Sequence, residues 1–404
     1  MSTNRTMKAT GVDWLGSVPA NWDIAPLGHY FTERKVTVSD TDYQPLSVTK
    51  AGIVPQREDV AKTDAGDNRR LVMIGDFAIN SRSDRKGSSG ISDYTGSVSV
   101  ITIVITPRGL LPGFAHHLLR SVAFQEEFYR WGSGIVADLW STRWSEMKRI
   151  TLAVPPWHEQ VQIADYLDRE TAEIDAFIAD QERLIELLNE RRIGVIDMAF
   201  SGMETNSRIV HACIDIVDCL HATPEVDDNG EYEAVRTASV RNGLYRPGFG
   251  LLVNKNTWLE RNVGGSPSVG DIIFAREGGS AGEAAMVPSS EICLGQRMVL
   301  LRVNPSSCIG EFLLWQMYSS RVQNSFRISM SGSAAPNIRL PELRTMPIWL
   351  PPLDVQREVM EYIGDALSKI DVLISESERL IALSRERRSA LITAAVTGQI
   401  EVPS

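Results

Sequence analysis

A stretch of 48 residues occurs twice in this 404-residue chain, 196 positions apart. Pro155-Pro156 returns as Pro351-Pro352, Gln160 as Gln356, Tyr166 as Tyr362, and Ile174-Asp175 as Ile370-Asp371. The match continues through Glu182-Arg183-Leu184-Ile185 and Glu378-Arg379-Leu380-Ile381, then Glu190-Arg191-Arg192 and Glu386-Arg387-Arg388. It ends at Gly202 and Gly398. Without a gap, 18 of the 48 positions are identical, where chance gives roughly three, so the segment is a duplication. Upstream the order persists with small shifts of offset: Gly75-Asp76 against Gly270-Asp271, Gly52 against Gly243, and Gly132-Ser133 against Gly332-Ser333. Such shifts are what loop insertions produce. The chain therefore reads as globular, helical, globular, helical.

The helical parts have a clear pattern. Proline can neither donate to a strand ladder nor continue a helix, so Pro155-Pro156 closes what precedes it. Leu167, Ile174, Ile178, Ile185 and Leu188 then recur at mostly three, four or seven residues. The second copy has Ile363, Ile370, Ile374, Ile381 and Leu391. This is a coiled-coil type of stripe, with Gly202 near the expected C-terminal cap. Some 40 residues at about 1.5 Å each make a helix of roughly 60 Å. A helix that long does not bury its stripe alone, and the other copy is the natural partner. The expected fold class is α+β: two β-rich globular domains separated by two long helices packed as an antiparallel coiled coil, with an internal pseudo-twofold duplication.

In the globular parts, residues 97–106 are dense in β-branched side chains and suit one buried strand. Residues 271–274 and 298–303 also read as strands, and 114–130 and 311–326 as amphipathic helices at corresponding places. The expected boundaries are 1–154, 155–203, 204–350 and 351–404.

Composition is that of a globular protein, 43% apolar and 23% charged, which speaks against disorder. No apolar run approaches the ~20 residues of a membrane span, and the N-terminus lacks an apolar signal core. Four cysteines, Cys213, Cys219, Cys293 and Cys308, suggest no disulfide framework, so a reducing cytoplasm is expected.

A net charge of −10 and a pI near 5.3 argue, at first, against a nucleic-acid partner. Counted by segment, the charge is +2 for 1–154, −7 for 155–203, −2 for 204–350 and −3 for 351–404. The acid thus belongs to the helical segments, and the two globular segments together are neutral. The basic residues of 204–350 are twelve arginines and Lys255. Arginine offers a planar donor fork suited to guanine edges and phosphates. Lys50, Arg69, Arg70, Arg82, Arg85, Lys86, Arg236, Arg241, Arg276 and Arg297 are the candidate DNA contacts, most of them in polar loops.

Catalytic signatures are missing. Before each Pro-Pro pair stands Val154 or Leu350, so the acceptor oxygen of an amino-methyltransferase motif is lacking. No P-loop or HExxH occurs, and Gly248-Phe249-Gly250 is short of a dinucleotide fingerprint. His211, Cys213, Cys219 and His221 lie within eleven residues, but their apolar interleaving suits a packed element rather than a zinc site. His116 and His117 are neighbours in a helical stretch and point apart. No catalytic residue and no metal ligand is named.

At this point the sequence resembles the specificity, or DNA-recognition, subunit of type I restriction-modification enzymes. The resemblance rests on several stretches in order. The opening runs from Trp14 to Trp22, followed by Leu27. Residues 46–53 and Gly75-Asp76 come next, then the series Pro155-Pro156, Gln160, Ile174-Asp175, Arg191-Arg192 and Gly202. Residues 218–224 and 235–237 resemble the start of a second domain of the same kind. The resemblance implies two target recognition domains, 1–154 and 204–350, each reading half of a bipartite, asymmetric double-stranded DNA site. It implies two helices serving as a ruler for the unread spacer. No activity and no cofactor would belong to this chain; S-adenosylmethionine, ATP and Mg are expected on partner subunits. Those partners would be two adenine methyltransferase subunits and restriction-translocase subunits. A coiled-coil adaptor that binds protein, the recognition subunit of a related phage-defence methylation system, and an enzyme with a cryptic site are the other readings.

Overall fold

The computed structural model describes residues 5–56, 66–134, 140–330 and 336–403. Gly332-Ser333 lies outside them. Strands and helices alternate in an α+β arrangement, and the chain divides into two compact units. One comprises Met1–Gln181 with Arg379–Ser404, the other Glu182–Glu378.

In the first unit a four-stranded antiparallel sheet has the order Ser89–Ile91, Phe77–Asn80, Thr102–Pro107, Phe31–Glu33. In the second the order is Ala284–Met286, Ile272–Ala275, Met298–Val303, Cys213–Asp218, again antiparallel. Each sheet is backed by a helix pair whose phenylalanines fill the core: Phe114, Phe124 and Phe128 in one unit, Phe312 and Phe326 in the other.

Three readings of the sequence are corrected. Residues 97–106 are two strands, Gly96–Val98 and Thr102–Pro107, in different sheets. The Thr102 amide turns back onto the Ser99 carbonyl at 2.9 Å, and Val100 is exposed at the corner. Residues 114–130 are two helices, Pro112–Arg120 and Val122–Arg130. Ser121 takes an extended ψ of 146°, and its hydroxyl accepts from the Phe124 amide, capping the second helix. Residues 311–326 break likewise into Gly310–Tyr318 and Ser320–Ser329, with Ser319 at ψ 143°. In both breaks the serine hydroxyl donates back to a carbonyl, Leu118 at 2.8 Å and Gln316 at 2.6 Å.

The long helices span Trp157–Ala199 and Leu353–Val396. Gly398, at φ +71°, closes the second. The Gly398 amide bonds the Ala395 carbonyl and the Gln399 amide that of Ala394, a Schellman end. At each helix start the repeated glutamine is buried. Gln160 accepts from the Leu111 amide at 2.8 Å and donates to the Pro155 carbonyl at 3.0 Å. Gln356 accepts from the Ile309 amide and donates to the Pro351 and Ser307 carbonyls, all at 2.8 Å. The glutamine thus fastens a long helix to the residue that precedes each domain helix pair.

The apolar stripe divides between the units. In the first, Leu167 joins the core with Ile392 and Val396, Leu391 packs against it, and Ile174, Ile178 and Ile381 are also buried. In the second, Leu188, Ile363 and Ile370 are buried together with Ile374 against them. Ile185 is half-buried. Trp22 of the opening motif is buried, and its indole donates to Glu159 at 3.0 Å, anchoring the N-terminal segment to a helix start.

Candidate nucleic-acid interface

In the first unit Lys50 sits exposed in the turn between strands Leu46–Thr49 and Gly52–Pro55. Its carbonyl accepts from Arg120 at 2.5 Å. The neighbouring loop carries Arg82, Arg85 and Lys86. Arg82 is exposed and bridges the Ser141 backbone, Arg85 lies 3.5 Å from Asp84, and Lys86 pairs with Glu126. These pairs lie in solvent, where each contributes under about 1 kcal/mol, so the cations stay available to another anion. Gly87 at φ +87° brings this loop against the Lys50 stem.

Arg69 and Arg70 do not join that cluster. Arg69 is only 8% exposed. Its guanidinium donates to the Ser97 hydroxyl and carbonyl and to the Leu46 carbonyl, tying three strands together. Burial pushes its pKa below the ordinary arginine value. Its Nε and Nη2 are engaged within the fold, and that burial speaks against a base-reading role. Arg70 is half-buried on the same strand, Arg69–Val72.

In the second unit Arg276 and Arg297 meet at Glu277. Arg276 is 9% exposed, lies 2.9 Å from Glu277 and 3.5 Å from Asp218, and approaches His221 at 3.4 Å. Arg297 is exposed, 4.0 Å from Glu277, and has a left-handed φ of +71°. An arginine in that region is uncommon, and such strain clusters at functional sites. Arg236 is exposed and donates to the Phe249 carbonyl at 2.7 Å, while Arg241 lies 3.9 Å from Glu283. Arg246 covers the Phe249 ring at 3.7 Å.

Sequence reasoning missed Arg120, Asp218, Glu277 and Glu283. Arg120 ends a helix, where a single basic residue gives no sign of reaching a groove. The three acids escaped because a carboxylate orienting an arginine leaves no mark in sequence spacing. Among the described residues no three His, Cys, Asp or Glu side chains gather as a metal site. Cys213 begins a sheet strand and Cys219 is buried, consistent with a packed element. No helix among the described residues is long and apolar enough to cross a membrane.

Residues 220–382 match the model of the type I restriction modification DNA specificity domain. Over 427 aligned positions the chain is 19% identical to a protein of Methanocaldococcus jannaschii described as the type I restriction enzyme MjaX specificity subunit, covering 96% of each. Its fold resembles a solved chain from work on complex assembly and conformational transition of the type I R-M system. There the TM-score is 0.62 at 14% identity, over 95% of this chain and 99% of that one. The HsdS subunit of Thermoanaerobacter tengcongensis is more distant, with a TM-score of 0.49 at 16% identity over 95% and 98%. The family model and the relative that spans the whole chain both support a specificity subunit of a type I restriction-modification system, and the fold is in keeping with it.

Proposed function

We propose that this chain is the non-catalytic subunit that reads a bipartite, asymmetric double-stranded DNA site. Residues 1–154 and 204–350 are its two target recognition domains. Residues 155–203 and 351–404 supply spacer helices that pack antiparallel and fix the unread interval between half-sites. The chain docks two adenine methyltransferase subunits and, in the restricting complex, translocase-nuclease subunits; S-adenosylmethionine, ATP and Mg act on those partners.

The observation that carries this reading is a shared scaffold with unlike loops. Both units have the same sheet order, the same serine break and the same glutamine anchor, whereas 82–86 is Arg-Ser-Asp-Arg-Lys and the matching 277–281 is Glu-Gly-Gly-Ser-Ala. Like scaffolds with different polar tips suit two different half-sites. The antiparallel reading has its own support. Asp175 pairs with Arg388 at 2.8 Å, and Arg192 pairs with Asp371. These are one contact between repeat positions with the roles of the two helices exchanged, as antiparallel packing of like helices requires. The acidic helical segments repel phosphate, leaving DNA to the loops.

Inserting four residues, about one helical turn, into both long helices tests the ruler. Methylome sequencing of a host carrying the variant should show a longer spacer between unchanged half-sites. Altered half-sites with an unchanged spacer would sink the assignment.

A further inference from the structure

We propose that Arg192 is a positioning residue that holds the second domain's Arg241 loop in its reading geometry; this rests on the DNA-reading role above. Arg192 belongs to the first long helix, and its side chain is 8% exposed. Its guanidinium reaches two ways, to the Asp371 carboxylate on the other long helix and to the Asn242 carbonyl at 3.4 Å.

Asn242 is the kink of the loop, with a φ of +52°. Its amide donates to Glu283 at 2.7 Å. Both polar groups of one left-handed residue are therefore held by side chains from elements distant in sequence. Asn242-Gly243 is the two-residue turn of the hairpin Val240–Arg241/Leu244–Tyr245, which itself calls for a positive φ at both residues; the two side chains grip that turn from outside and set where it sits. Gly243 follows at φ +82°, so close to Trp315 that a Cβ would lie 2.5 Å from the indole ring. Glu283 also accepts from the Tyr318 hydroxyl at 2.8 Å, and its other oxygen lies 3.9 Å from Arg241.

A continuous polar chain thus runs Asp371, Arg192, Asn242, Glu283, Arg241. It borders a cavity of about 780 Å³ lined in part by Trp315 and Tyr318. On one side Gly243 packs against Trp315 and bridges Ala285; on the side that faces the cavity, the bonds from Arg192 and Glu283 add to that packing in fixing where the turn sits. The helix that serves as spacer would in this way also set the reach of a recognition arginine.

The test uses the full chain assembled with its methyltransferase subunits. Methylation rates are compared on the cognate duplex and on duplexes with one changed base in either half-site. Arg241→Ala identifies the half read by the second domain; if it alters neither half, the inference is overturned. Arg192→Met should lower discrimination in that same half about tenfold, the scale of one good base contact, with discrimination in the other half unchanged. Asp371→Asn should produce a smaller fall in the same half. Equal losses in both halves, or no loss, would show a merely structural arginine. Should Arg192→Met fail to assemble, Arg192→Lys keeps a cation for Asp371 without a fork to span both partners; unchanged discrimination in that variant also overturns the inference. A wild-type complex with no sequence preference would remove the DNA-reading role itself, and this inference with it.

Discussion

The two units fasten the same turn by different means. In the first, the turn at Lys50 is held by Arg120, from the end of a domain helix, at 2.5 Å. In the second, the place of Arg120 is taken by Tyr318, and the matching turn at Asn242 is held by Arg192 from a long helix. Arg388, the repeat equivalent of Arg192, pairs with Asp175. The neighbours of the clamp differ as well: His116 and His117 stand where the second unit has Leu314 and Trp315. What stays constant is the scaffold of sheet, serine break and buried glutamine. What varies is the polar hardware that sets the loops, and under the proposed function that is where the reading of two half-sites would diverge without disturbing the fold.

The glutamine anchors should show the largest response. Gln160→Leu and Gln356→Leu keep volume but leave a partly buried amide and its carbonyls without partners. Each should cost about 2–4 kcal/mol in denaturant unfolding. Gln356, with one more bond, should be the costlier by roughly one hydrogen bond, about 1 kcal/mol. Equal or negligible losses would mean that the anchors are redundant to packing.

The histidines should separate the units by pH. Burial, with the nearby Arg120, His117 and Arg388 cations, depresses His116 to about 4 despite Asp168, and burial lowers His117 too. An unfolded histidine titrates near 6.5. As the pH falls below that value the unfolded chain takes up a proton that the folded one refuses. Stability is therefore intact above 6.5 and is lost progressively toward 4. From pH 6.5 to 5 the loss through His116 should be about 1–2 kcal/mol. His116→Leu, the residue of the second unit, should flatten that slope in denaturant titrations at the two pH values. An unchanged slope would assign the acid sensitivity elsewhere.

The duplication, the long helices and the apolar stripe were legible in the sequence, because a repeat and a heptad-like spacing are local patterns. The breaks at Ser121 and Ser319 were not. Apolar periodicity runs on across each break, and a serine signals a cap only once the chain around it has turned. The bend at Ser99 was hidden for a related reason: β-branched residues mark a strand without saying which sheet it joins. Arg69 misled most. Beside Arg70 it read as part of a basic loop, yet its partners, Ser97 and Leu46, lie 28 and 23 residues away and became visible only with the sheets assembled.

The smallest effect concerns the basic loop itself, and it bears directly on the contrast between 82–86 and 277–281. Arg82 and Arg85 lie exposed in the first unit, and their counterparts are Glu277 and Ser280. If the first loop tracks phosphate, replacing either arginine with alanine should reduce the slope of log affinity against log salt by about 0.9. At a single salt concentration the loss of affinity is modest and nearly independent of sequence. Ser280→Ala should leave the slope alone, because no cation is removed. The measurement is a salt series of DNA binding by the assembled complex. Unchanged slopes for both arginine variants would make 82–86 a solvated loop, and would shift the contacts proposed for the first unit toward Lys50.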